Sequence, residues 1–145
     1  MKISYLIMLL MLLSAGSAFG RMSQVVGKTA ALRSSPSLTG SIVLLQVPRH
    51  YPLQIEGEQG DFLRVRDYRG QDSWIEKQLV GDGSGVIVKA DLANLRSGPG
   101  SDSQILFKAR RGVTFRVLDD RSGWLQVEHA SGRQGWIYKE LVWGY

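Results

Sequence analysis

The stretch GRQGWIYKELV, Gly132 to Val142, restates one met earlier in the chain, GQDSWIEKQLV, Gly70 to Val80. Six of the eleven positions are identical: glycine, tryptophan, isoleucine, lysine, leucine and valine. Working outward, YPLQIEGEQGDFLRV (Tyr51 to Val65) lies against VTFRVLDDRSGWLQV (Val113 to Val127) at the same separation of 62 residues. Further upstream, LRSSPS (Leu32 to Ser37) lies against LRSGPG (Leu95 to Gly100) at 63, which places a one-residue change near Pro48 to His50. Order and spacing agree throughout, so the chain carries a duplication.

Each copy reads as short strands. In the second, extended segments are expected at Val86–Val88, Leu92–Arg96, Ile105–Lys108, Val113–Leu118, Trp124–His129 and Gly135–Ile137. The turn signals SGPGSD, ARRG, DDRSG and ASGRQ separate them. Nothing after residue 20 keeps a helical period. So many short strands in a span this small point to an all-β fold of two tandem small barrels, since an open sheet of this size leaves edges unpaired. Gly98 and Gly100 are expected to supply backbone angles closed to other residues, and Pro99 fixes φ between them. Along WLQVEH, Leu125 and Val127 share one face, and Trp124, Gln126 and Glu128 share the other. In the first copy Leu63 and Val65 point in, while Phe62, Arg64 and Arg66 point out. Trp124 therefore either packs beneath its own first loop or lines a groove. Arg96 either braces that loop or meets a ligand. Trp136 and Ile137 read as core, Asp119 and Asp120 as turn residues, and Arg64, Arg66 and Arg69 with Asp67 as a charged strand face. Trp143 to Tyr145 packs between the units or stays exposed.

The chain has 145 residues, no cysteine and a formal net charge of +5. It opens with Lys2, an apolar run from Ile3 to Leu13, and small residues up to Gly20. That is the layout of a secretory signal over residues 1–20, with a cut after Gly20 or Ala18. The apolar run is shorter than the roughly 20 residues a membrane span needs. Without cysteine there is no lipid attachment and no disulfide. The expected product is an exported protein of the periplasm or cell surface, with no stable membrane insertion after the signal is removed. Its basic charge suits an anionic cell-wall polymer, and export argues against nucleic acid. The expected domains are residues 28–81, a glycine-rich linker at 82–86, and residues 87–145.

Asn94-Leu95-Arg96-Ser97-Gly98-Pro99-Gly100, then Gly123-Trp124, Gly135-Trp136-Ile137 and Leu141, resemble the signature of the bacterial SH3-type (SH3b) domain family. The first copy resembles it more loosely: Ser35 and Ser37 replace the two glycines, and Ala31 stands where Asn94 does. The resemblance implies SH3-like barrels in exported proteins, often attached to wall-degrading enzymes and usually without catalytic chemistry of their own. It implies ligands such as peptidoglycan or its peptides. By analogy the binding groove takes in Asn94, Arg96, Gly98, Pro99, Gly100, Trp124, Tyr138 and Leu141.

No catalytic constellation is legible. There is no cysteine nucleophile, no nucleophile-elbow pattern, and no clustering of histidines or acids that implies a metal or cofactor. His50 and His129 fall at unmatched positions of the two copies. The expectation is a non-enzymatic binding protein for peptidoglycan or wall peptides. The alternative is an adaptor that holds another envelope protein in the same groove.

Overall fold

The computed structural model describes residues 20–145. The expected export signal lies outside the described residues, apart from Gly20. Two antiparallel seven-stranded sheets follow one another. The first comprises β1 (Met22–Val25), β2 (Thr29–Arg33), β3 (Val43–Pro48), β4 (Pro52–Gln59), β5 (Phe62–Arg66), β6 (Asp72–Glu76) and β7 (Val80–Gly81). The second comprises β8 (Gly85–Val88), β9 (Leu92–Arg96), β10 (Ile105–Arg110), β11 (Thr114–Arg121), β12 (Trp124–Glu128), β13 (Gln134–Tyr138) and β14 (Val142–Trp143). Their ladders have the same order, β3-β2-β6-β5-β4-β1-β7 and β10-β9-β13-β12-β11-β8-β14. A short 3-10 turn precedes the last strand of each, at Lys77–Leu79 and Lys139–Leu141.

Alternation along each strand builds the two interiors. Leu32, Leu63, Val65 and Ile75 meet in the first core, and Leu95, Leu125, Val127 and Ile137 meet in the second. Trp136 is also buried, at 8% exposure, but its neighbour Ile137 already faces inward. Its own ring lies on the opposite face, with the Arg121 guanidinium 5.8 Å from its centre. The outward arginines of the first copy are tied into ion pairs. Asp72 accepts from Arg64 and Arg66, and Arg66 also meets Glu56 at 3.1 Å.

Three details depart from the sequence reading. The one-residue change between copies does not fall near Pro48. β3 and β10 align at 62 with identical burial patterns. The difference lies in the first loop, residues 34–42 against 97–104. His50 corresponds to Gly112: both have positive φ (68° and 91°), and their amides donate to Val25 and Val88 at 2.9 Å. The first sheet also begins before residue 28, because β1 pairs with β4 and β7. Finally, the expected linker is open chain only in part, since its last two residues, Gly85 and Val86, start β8.

That strand joins the two units. All four of its residues are buried, although a strand with one solvated face alternates. Val86 and Val88 enter the second core, whereas Ile87 enters the first. Trp143 follows it, pairing with Ile87 and packing against the first core. Thr114 Oγ1 donates to the Arg49 carbonyl at 2.8 Å. A Cβ at Gly85 would run into the His50 carbonyl, so close backbone approach requires glycine there. Gln24 and His50 find partners in the seam. Gln24 Nε2 donates to the Asp82 carbonyl at 3.0 Å, and Gln24 Oε1 lies 3.0 Å from His50 Nδ1.

Candidate functional site

In the second unit the outer face carries a cleft of about 620 Å³. Leu92, Asn94 and Arg96 enter it from β9 because Ala93 and Leu95, between them, point into the core. Trp124 opens β12 directly opposite Tyr138, which closes β13. Their ring centroids are 5.4 Å apart with planes at 48°. The hairpin that delivers Trp124 turns through Ser122 (φ 50°) and Gly123 (φ 86°), the pair of positive φ values that a two-residue turn of matching twist needs. The 3-10 turn brings Leu141 to the rim. Gly100, Ser101 and Asp102 of the first loop complete the wall.

Arg96 is a brace. Its Nη1 donates to the Ser103 carbonyl at 2.9 Å and holds the loop curled beside the aromatic pair. Arg33 does the same in the first unit, donating to Ser41 Oγ at 3.2 Å. The loop glycines do not serve the expected purpose. Gly98 and Gly100 lie outside the positive-φ region. Instead, a Cβ at Gly98 would sit 3.1 Å from Ser103 Oγ, and one at Gly100 2.9 Å from Asp102 Oδ1. Both contacts are to movable side-chain ends, so neither space nor backbone angle makes glycine obligatory here.

Of the eight groove residues expected from sequence, Asn94, Arg96, Gly100, Trp124, Tyr138 and Leu141 line the cleft together; Gly98 and Pro99 do not. Three lining residues escaped that reading. Leu92 was legible by alternation, being two and four positions from Asn94 and Arg96. Ser101 and Asp102 were not, because only the curled loop turns them toward Trp124. The cleft thus offers two aromatic rings and two leucines beside an amide and a carboxylate. That combination can offer a ligand both ring contact and hydrogen bonds.

The first unit has a smaller depression in the corresponding place, about 440 Å³, which includes Leu38, Phe62 and Glu76. Phe62 stands where Trp124 does and Glu76 where Tyr138 does, and they are likewise in register. Phe62 was expected to be exposed, yet only 8% of it is accessible. The first loop of this unit is one residue longer, and its Leu38 lines the same depression. The face is as alternation requires; the cover comes from a distant segment.

The paired ladders and their shared register are those of small SH3-like barrels, repeated in tandem. The chain belongs to the bacterial SH3 domain family, whose model matches residues 26–82 and again 89–144. It is similar to "Putative N-acetylmuramoyl-L-alanine amidase YrvJ" of Bacillus subtilis (strain 168), 28% identical over 123 residues, covering 77% of this chain and 23% of that protein. It is also similar to "Probable cell wall amidase LytH" of Staphylococcus epidermidis (strain ATCC 35984), 30% identical over 60 residues, 41% of this chain and 21% of that protein. Among solved structures it resembles NlpC1 from Trichomonas vaginalis, with a TM-score of 0.38, 21% identity, and coverage of 93% of this chain and 50% of that one. The chain spans about a fifth to a quarter of the length of the two amidase relatives. Their names overturn the expectation of a non-enzyme: the sequences this chain matches are those of proteins named as amidases, so an illegible catalytic constellation is no ground for excluding enzymatic work. No helix among the described residues is long and apolar enough to cross a membrane.

Proposed function

We propose that this protein acts at the bacterial cell wall and that the Trp124–Tyr138 cleft recognises peptidoglycan through its peptides. The observation that carries the reading is the cleft itself, two rings 5.4 Å apart facing Asn94 and Asp102, on a bacterial SH3 domain related to proteins named as cell wall amidases. Wall peptides combine small apolar side chains with amide, carboxylate and ammonium groups. The rings and Leu141 suit the first, and Asn94 and Asp102 suit the rest. Arg96 acts indirectly, by keeping the loop in place. The first unit contributes less, since Phe62 is covered and Glu76 replaces the second ring. Export to the periplasm or cell surface belongs to the same proposal, supported by the leader-like start of the chain.

Sedimentation of purified Arg21–Tyr145 with insoluble sacculi tests it. The protein is expected in the pellet at low salt, and Trp124→Ala is expected to lower the bound fraction at least tenfold while Phe62→Ala leaves it within about twofold. Protein that stays in the supernatant, or equal losses for the two variants, would end this assignment. A peptide segment of another exported protein is the competing occupant. Crosslinking in envelope extract that captures one stoichiometric protein through Trp124 and no glycan would select it.

A further inference from the structure

A second cleft in the second unit shares no lining residue with the aromatic one. It measures about 330 Å³ and lies between β10 and the β12–β13 turn, over Val113 and Phe115. Lys108, Arg110 and Arg133 border it, together with His129 and Ser131, and no carboxylate is among its lining residues. Other arginines of this unit are engaged: Arg111 with Asp91, Arg116 with Glu128, and Arg121 with Asp119, at 2.7, 2.7 and 2.9 Å. The turn beneath is held by His129 Nδ1, which accepts from the Ser131 amide at 3.1 Å.

The duplication supplies the comparison that makes this cluster informative. In the first unit the same turn is capped by Asp67, whose Oδ1 accepts from the amides of Arg69 and Gln71. Arg69 answers that carboxylate at 2.7 Å, so the corner is neutral. Gln46, Pro48 and Gln71 occupy the positions of Lys108, Arg110 and Arg133. The backbone therefore forms this corner with no uncompensated charge, and the second unit places three cations on it. Folding does not call for them. Like charges around one cleft repel and gain from a counter-anion.

We infer that this cleft binds a linear polymer carrying closely spaced oxyanions, phosphate or carboxylate, and that it does so independently of the aromatic cleft. A nucleic acid fits less well. Phe107 is covered by the Arg133 guanidinium, 4.1 Å from its ring centre, and Phe115 is fully buried, which leaves only the half-buried His129 imidazole among the lining rings for a base to stack on.

Calorimetric titration of the chain with inorganic polyphosphate, poly-L-glutamate and oligothymidylate of matched charge tests this. The variant Lys108→Gln/Arg110→Gln/Arg133→Gln, whose glutamines at 108 and 133 match the first unit, is expected to bind at least tenfold more weakly at low salt. The slope of log affinity against log salt should fall by about two to three, one for each lost charge contact. The control Arg21→Gln/Lys28→Gln/Arg121→Gln removes the same charge elsewhere and should change affinity less than threefold, as should Trp124→Ala. Whichever of polyphosphate and polyglutamate is lost through these residues identifies the oxyanion. The inference is overturned if neither polymer binds, if the control loses as much, if Trp124→Ala abolishes binding, or if oligothymidylate binds tightest. Repeating the sacculus comparison in the triple-glutamine variant keeps the failure of this inference distinguishable from failure of the aromatic cleft's assignment.

Discussion

Ile87 is the residue through which the second unit's strand β8 completes the first unit's core. Truncating it to alanine removes three carbon groups from a site with 1% exposure. At about 0.8 kcal/mol per buried carbon this loses roughly 2.4 kcal/mol of transfer free energy. The cavity left behind adds to that, and buried Ile→Ala changes fall at about 2–5 kcal/mol. A loss of about 3 kcal/mol is the working figure. It should appear in the wrong unit from the standpoint of sequence. Amide exchange in the first core, at Val65 and Ile75, should speed up by about a hundredfold, since roughly 1.4 kcal/mol is a factor of ten. Amides of Leu125 and Val127 should change much less, because Val86 and Val88 continue to fill the second core. Hydrogen exchange followed by two-dimensional NMR reads both cores in one sample. A loss below about 1 kcal/mol would show that Ile87 is not seated where the argument requires, since a buried isoleucine cannot be shortened so cheaply. Faster exchange confined to Leu125 and Val127 would do the same.

Three further outcomes are expected. Asp72, held by hydrogen bonds from Arg66 and by its neighbours, titrates at about 2. Its folded value lies below the unfolded one, so its contribution is present above about pH 4 and is lost as pH falls toward 2; Asp72→Asn should flatten acid unfolding in that window, followed by circular dichroism. His50 is pushed below its ordinary range by burial in the seam, then by Arg49 and Arg116, with Glu128 opposing. The unfolded chain then binds the proton more readily, so stability should fall as pH drops from about 6.5, and His50→Gly, the residue its counterpart position holds, should remove that dependence in urea titrations. Gly98→Ser, which copies Ser35, should cost less than about 1 kcal/mol, because only the movable Ser103 hydroxyl stands in the way; a loss of several kcal/mol by calorimetry would restore the backbone-angle explanation.

The duplication, the all-strand class and the inward faces of β5 and β12 were legible in the residues themselves, because a period of two and a set of turn residues are local properties. Leu125 and Val127 point inward wherever the rest of the chain goes, and WIxK followed by LV marks the same strand and turn twice. Most of the cleft's lining came from the family resemblance instead, and Asn94, Arg96, Trp124 and Tyr138 do lie on outward strand positions. What covers a face is not local. Phe62 and Trp124 open equivalent strands, yet one is buried and the other half-open, because loops of different length approach them. Arg96 became a brace once Ser103 curled back to it. Ile87 changed cores because the first unit lies against the outer side of β8, and a strand's pattern alone cannot say whether its second face meets water or another unit. Alternation assigns each side chain a direction; only the packed chain decides what is waiting there.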